Sequence, residues 1–103
     1  MENLINEAEK FVTSYLNENL KSSFVYHNLA HTQRVVAKAK ELANDCELPK
    51  EDTNTLILAA WFHDLGFTKI INGHEKESVN IASAFLHSKN VSDDKIKEIS
   101  EII

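Results

Sequence analysis

Apolar side chains recur at helical spacing in five stretches of the chain, and short polar breaks separate these stretches. The third stretch is the most apolar, and the other four each carry one apolar stripe beside polar positions. Such a pattern predicts an all-α fold, a helical bundle of about five helices with short connections. The predicted helices cover about residues 2–19, from 27 or 28 to 44, 51–64, from 72–74 to 88, and from 92 onward.

Residues that start or stop helices lie at the ends of these stretches. Asn28 is a candidate N-cap of the second helix, and Ser92 is one for the fifth. Pro49 marks the loop before the third helix, and Gly66 is its expected terminator. The segment 68–73 is predicted to be a loop.

The fifth helix has no stop signal at its end. Its apolar stripe of Ile96, Ile99 and Ile103 runs to the last residue without Gly, Asn or Pro. Two explanations compete: further helices follow in a longer protein, or an oligomer partner covers the stripe. The first is favoured, so residues 1–103 are interpreted as a single helical domain truncated at its C-terminal end. Self-association as a homodimer through the exposed C-terminal stripe is the related expectation.

Composition narrows the class of protein. The 103 residues suit one domain, and 43% of them are apolar, as in soluble globular proteins. A net charge of −5 argues against nucleic-acid polymers as partners. The longest apolar run, Leu56–Phe62, is too short to span a membrane. One cysteine, Cys46, cannot form an internal disulfide, which favours a cytoplasmic location.

Two of the five histidines are predicted to lie on apolar helix faces. At about 100° per residue, His31 projects within about 20° of Leu42, and His63 within about 20° of Leu56. A buried imidazole needs a polar partner. The simplest interpretation of either residue alone is a hydrogen-bonded core histidine.

The His63–Asp64 pair changes that balance. Asp64 ends the most apolar helix, and a buried aspartate is normally paired or bound to a metal. Imidazole and carboxylate together suit divalent cations such as Mn²⁺, Fe²⁺, Co²⁺, Ni²⁺ or Zn²⁺. The alternative is a His–Asp hydrogen bond that fixes the helix end, and the spacing alone does not choose between them.

Three blocks of sequence form a further pattern along the chain, namely Tyr26–Thr32, Ala59–Gly66 and His74–Ser78. Taken together, these blocks resemble the HD superfamily of metal-dependent phosphohydrolases. The first block ends at His31 and Thr32, the second contains His63 and Asp64, and the third begins at His74. They occur in the family's order, and the resemblance covers about residues 24–88.

The resemblance implies a set of metal ligands. His31 is similar to the family's first ligand, and His63 and Asp64 are similar to the adjacent pair. A fourth ligand, an aspartate from a helix farther along, is usual in the family, and the sequence stops before such a helix. Asp93 and Asp94 come too early to replace it. The implied cofactor is a divalent metal ion (Mn, Fe, Co, Ni, Zn or Mg).

The same resemblance implies roles for two more histidines, and two basic residues are candidates because of their positions in the sequence. His27 resembles the proton donor of related cyclic-nucleotide phosphodiesterases, although a helix-start residue is an equal alternative. His74 resembles an additional histidine near the metal in some members, or it is a first-turn residue. Lys69 and Arg34 are the nearest candidates for binding phosphate oxygens.

The expected function is hydrolysis of a phosphate ester, in a nucleotide or a related small molecule. Asp64 would bind the metal and orient a water, and His27 would protonate the leaving oxygen. One alternative is a metal- or nucleotide-binding signalling module without turnover. Another is a helical scaffold whose histidines satisfy core polar groups.

Overall fold

A computed structural model describes residues 2–20, 22–65 and 74–103, excluding the side chains of residues 2, 22–27 and 74. The described residues form five α-helices and no strand, which confirms the all-α expectation. None of these helices is both long and apolar enough to cross a membrane. In chain order the helices are α1 (Glu2–Asn19), α2 (Ser22–Asp45), α3 (Lys50–Phe62), α4 (His74–Ser88) and α5 (Asp93–Ile102).

Helix α3 is the central element of the bundle. It contacts α1, α2, α4 and α5. A helix that is apolar on nearly all sides must be covered on all sides, and α3 is buried from Ile57 to Phe62. Phe62 is fully buried, with its ring centroid 6.0 Å from that of Phe11 and 5.5 Å from that of Phe85. The C-terminal end of α3 is thereby fixed inside the core.

The ends of α2 and α3 differ from the sequence prediction. Helix α2 begins at Ser22, so Asn28 lies within the helix and is not its N-cap. The polar residues before it contain no Gly or Pro, and nothing in them prevents an earlier start. Helix α3 begins after Pro49 and ends at Phe62. His63 therefore follows the last helical residue, in a turn.

The isoleucine stripe of α5 is not exposed, contrary to the sequence prediction. Ile96 and Ile99 are buried in the core, and Ile103 packs against it. Helices α3 and α4 both contact α5, so the chain itself covers this stripe. The expectation of a homodimer through this stripe depended on its exposure, so the structure removes the reason for it. That the domain continues beyond Ile103 stays a prediction.

A largely buried lysine joins α5 to α3. The Nζ atom of Lys95 lies 3.2 Å from Glu51 Oε1 and 2.9 Å from Glu98 Oε2. It also donates a hydrogen bond of 3.2 Å to Thr55 Oγ1. Because both carboxylates are mostly exposed, these ion pairs contribute at most about 1 kcal/mol each, and their main effect is to fix the register of the two helices.

Candidate metal centre

Three side chains from two parts of the chain meet beside the C-terminal end of α3. His31 lies on α2, and His63 and Asp64 lie in the turn that follows α3. Helices α2 and α3 pack against each other, which brings the first histidine to the turn. One nitrogen or oxygen of each side chain lies within 4.8 Å of the other two. This is the convergence that the sequence prediction requires.

The carboxylate of Asp64 lies between the two imidazoles. Its Oδ2 atom is 3.3 Å from His31 Nε2 and 2.9 Å from His63 Nε2. The two ring centroids are 5.7 Å apart. Donors bound about 2.1 Å from one metal lie about 3.0–3.4 Å apart at tetrahedral or right angles. The 3.3 Å contact of His31 falls in this range, and the 2.9 Å contact of His63 lies just below it, at a hydrogen-bond distance. Two imidazole nitrogens and one carboxylate are also ligands that divalent transition metals accept.

The orientation of His63 is set by its second nitrogen. His63 Nδ1–H donates a hydrogen bond of 2.6 Å to the carbonyl oxygen of Ala60. In the neutral ring this leaves Nε2 without a proton, facing the carboxylate of Asp64. Two acceptors at 2.9 Å need a proton or a cation between them. The backbone of α3 therefore prepares His63 Nε2 as a ligand, as is common for metal-binding histidines.

The charge state of His63 reflects the same contacts. Burial lowers the pKa of His63, whereas the hydrogen bonds to Asp64 and to the Ala60 carbonyl raise it. Together the raising contacts outweigh burial, so the pKa of His63 lies above its ordinary value. In the metal-free protein, the protonated pair therefore stabilises the fold at acidic pH, and this contribution is lost as the pH rises through the raised pKa. A cation that replaces the proton would bind more tightly as the pH rises.

His31 is more exposed than its helical position predicts. The prediction relied on Leu42, which is 57% exposed, so that face of α2 does not point into the core. The buried stripe of α2 runs instead through Thr32, Val36 and Ala43, about 100° away. The side chain of His31 is 50% exposed, whereas His63 and Asp64 are about three-quarters buried. The cluster is thus open to solvent on its α2 side.

Ser78 supports the turn that carries His63, and sequence reasoning gave it no role. Its side chain is fully buried on α4, and its Oγ donates a hydrogen bond of 3.0 Å to the carbonyl oxygen of His63. This bond fixes the first residue after α3 to a third helix. The one sequence feature that could have indicated this role is that Ser78 belongs to the third sequence block.

Replacing Ser78 with alanine is expected to lower the free energy of unfolding by about 1 kcal/mol, because the partly buried carbonyl oxygen of His63 loses this hydrogen-bond donor. Urea unfolding followed by circular dichroism measures this loss. Ser83→Ala on the same helix is the matched control and should change stability by less than about 0.5 kcal/mol. Equal effects of the two substitutions would contradict the supporting role of Ser78.

The remaining sequence-predicted residues are not part of the described cluster. The side chains of His27 and His74 and all of Lys69 lie outside the described residues, as does Gly66. Arg34 is exposed on α2, one helical turn after His31.

The two aspartates at the start of α5 do not belong to the cluster either. Asp93 is exposed and lies 3.8 Å from His87, and Asp94 is also exposed. Among the described residues, the group of potential ligands at this site contains His31, His63 and Asp64 only.

An apolar cleft of about 250 Å³ opens beside the cluster. His63 lines it, together with Val35 and Ala39 of α2, Leu56 of α3 and the end of the chain at Ile102–Ile103. Of the residues that the structure describes, no lysine, arginine, aspartate or glutamate lines the cleft. Since His63 belongs to both the cleft and the cluster, a molecule held at the cluster would have an uncharged space beside it.

One family model matches most of the chain. The family model of the HD domain matches residues 28–103, a span that contains the whole cluster and helices α3, α4 and α5. No curated protein and no solved structure matches the chain significantly.

Proposed function

The chain belongs to the HD domain family, whose members are generally hydrolases that bind divalent metals, and we propose that it hydrolyses a phosphate ester. The observation that carries this proposal is the convergence of His31, His63 and Asp64 on one point, with Asp64 Oδ2 in contact with both imidazoles. A bound divalent cation would supply Lewis acidity and lower the pKa of a coordinated water toward neutrality.

The residues of the chain would divide the remaining work. Asp64 brings the negative charge of the site and is suited to accept a hydrogen bond from the attacking water. His63 is held in one orientation by the Ala60 carbonyl, so its Nε2 atom needs little reorganisation to act as a ligand. His31 stands at the open side of the cluster, where a substrate can approach.

Substrate recognition is proposed for residues around this cluster. Arg34 is exposed one turn from His31 and suits phosphate oxygens, because a guanidinium forms paired hydrogen bonds to them. For Lys69 we propose the same task, for His27 the protonation of the leaving oxygen, and for His74 an additional ligand. The apolar cleft beside His63 is compatible with the uncharged part of a nucleotide or a related small ester.

A non-catalytic module is the second candidate. Its support is that only three potential ligands form the cluster among the described residues. A cation held by three protein ligands can bind a nucleotide without the geometry that hydrolysis requires. This candidate retains the metal site and the phosphate ligand but predicts no turnover.

One pair of measurements separates these candidates. Purified protein is titrated with Mn²⁺, Co²⁺ and Ni²⁺ by calorimetry, and nucleotide monophosphates and p-nitrophenyl phosphate are incubated with the same metals. Hydrolysis that stops on addition of a chelator supports the hydrolase. Cation binding without hydrolysis supports the module. A melting temperature unchanged by metals and chelators overturns both and leaves a helical scaffold, since a ligand of the folded state must stabilise it.

The pH of the titration provides an internal check. The pKa of His63 is raised, so a proton competes with the cation over a wider range of pH than at an ordinary histidine. Affinity should therefore be lower at pH 5.5 than at pH 8.

We further propose that the protein acts in the cytoplasm on a small phosphorylated molecule. Cys46 is free and exposed, which suits a reducing compartment. The net charge of −5 offers little attraction for nucleic-acid polymers.

A further inference from the structure

A second surface, separate from the cation cluster, lies between α1 and α4. It is a groove of about 620 Å³ whose base is aromatic. The ring of Phe11 lies 5.8 Å from that of Tyr15 and 4.8 Å from that of Phe85. Phe11 and Tyr15 are only partly buried, so the groove leaves aromatic surface open on the isolated chain. We call this surface the α1–α4 groove.

The α4 side of the groove has the spacing of a helix-pairing seam. Glu77, Ile81, Ala84 and Ser88 line it at intervals of four, three and four residues. This spacing keeps one face of a helix in contact with a second helix. Ala84 lies near the middle of the seam and is exposed, and its small side chain lets another backbone approach closely.

The two ends of the groove carry opposite charges. Glu77 lies at the N-terminal end of the α4 seam, and no ion pair involves it among the described residues. Lys89 lies at the other end, where it contacts Glu7 at 3.4 Å and sits 5.8 Å from the centre of the Phe85 ring. A partner that fits this face therefore needs a cation near Glu77, an anion near Lys89 and a small apolar centre.

We propose that the α1–α4 groove is the interface with a second copy of this chain, with the two α4 helices antiparallel about a twofold axis midway between Ile81 and Ala84. An antiparallel copy places its Lys89 and Ser88 beside Glu77, and the same contact repeats at the other end. Ile81 of each copy then meets Ala84 of the other. The surface is complementary to itself, which is the requirement for a twofold dimer.

This interface is independent of the isoleucine stripe on α5. The stripe is covered by the chain's own helices, whereas the α1–α4 groove is open. We expect a weak dimer, with a dissociation constant in the micromolar range.

Sedimentation velocity of the full chain from about 1 to 300 µM tests the proposal. The wild-type chain should shift from monomer to dimer over this range. Glu77→Lys should raise the dissociation constant about tenfold or more, because two like-charged contacts replace two opposite ones. Lys89→Glu should act in the same direction. The double variant Glu77→Lys/Lys89→Glu should return to within about threefold of wild type.

Controls separate the interface from the fold. Glu75→Lys reverses a charge on the same helix outside the groove and should leave the dissociation constant unchanged. Glu7→Gln removes the contact of Lys89 within the chain, so it measures how much of the Lys89→Glu effect comes from α1. Circular dichroism and the melting temperature of each variant confirm that it is folded.

Three results overturn the proposal. The first is a wild-type chain that stays monomeric up to about 300 µM. Binding of a small hydrophobic dye to the groove of such a monomer does not rescue the proposal. The second is folded single variants that dimerise as well as wild type. The third is a folded double variant that fails to regain dimerisation lost in both single variants.

Discussion

Asp64→Ala is expected to reduce metal-dependent hydrolysis and divalent-cation affinity by at least about 100-fold each. Within the part of the chain that the structure describes, Asp64 is the only carboxylate of the cluster, and its Oδ2 atom contacts both imidazoles. Without it, two neutral nitrogens remain, and a divalent cation loses its charge partner. Initial rates under saturating metal and substrate measure the first effect, and calorimetry measures the second.

Two variants control this result. Asp64→Asn keeps the shape of the side chain and removes its charge, so it should also lose activity while the fold remains. Asp52→Ala removes an exposed carboxylate from the first turn of α3 and should leave both values unchanged. A wild-type rate in Asp64→Ala would contradict the proposed hydrolase and the role of the cluster.

The same variant has a consequence that does not depend on metal or substrate. Asp64 raises the pKa of His63 through a hydrogen bond and through its charge, whereas burial lowers it. Without the carboxylate, burial still lowers the pKa of His63, and only the hydrogen bond to the Ala60 carbonyl still raises it. The pKa of His63 in the metal-free protein should therefore be lower in Asp64→Ala than in wild type, as measured by an NMR titration of the imidazole. An unchanged pKa would show that the two side chains do not interact in solution.

The parts of the site that could be predicted from sequence are those set by local order. His63 and Asp64 are adjacent and follow the most apolar helix, so their partly buried position at a helix end is a consequence of the sequence itself. Joining His31 to them needed the order of the three sequence blocks, because nothing local states that α2 packs on α3. The structure places one potential ligand atom of each of the three side chains within 4.8 Å of the other two.

The errors of the sequence prediction concern which face of a helix is covered. Leu42 was an apolar residue taken as a core position, and it is exposed, so the predicted burial of His31 failed with it. The opposite error occurred on α5, where Ile96 and Ile99 were predicted to be exposed and are core residues. Periodicity identifies a stripe, but the neighbours that cover it are set by tertiary packing.

Ser78 shows a different limit. A serine on an amphipathic helix is normally a surface residue, and its spacing does not reveal that its hydroxyl reaches the carbonyl oxygen of His63. That contact spans fifteen residues and depends on how α4 returns to the end of α3. Such a contact is visible only after the helices are placed in space.

Phe62→Ala is expected to lower the free energy of unfolding by about 3–5 kcal/mol, a large part of the stability of a domain this size. Phe62 is fully buried, and its ring packs against those of Phe11 and Phe85, from α1 and α4. Its removal leaves a cavity where three helices meet, and close-packed neighbours refill such a space only in part. Urea unfolding of the metal-free protein measures the loss.

Phe62→Leu separates packing from ligand geometry at this position. Leucine keeps most of the apolar surface, so the stability loss should be clearly smaller than for alanine. Because Phe62 directly precedes His63, a ring that fixes the end of α3 also fixes the direction of the following turn. Cation affinity measured on folded protein should therefore fall in the order wild type, Phe62→Leu, Phe62→Ala. Unchanged affinity in a destabilised Phe62→Ala would show instead that the Ser78 and Ala60 hydrogen bonds are sufficient to hold the ligands.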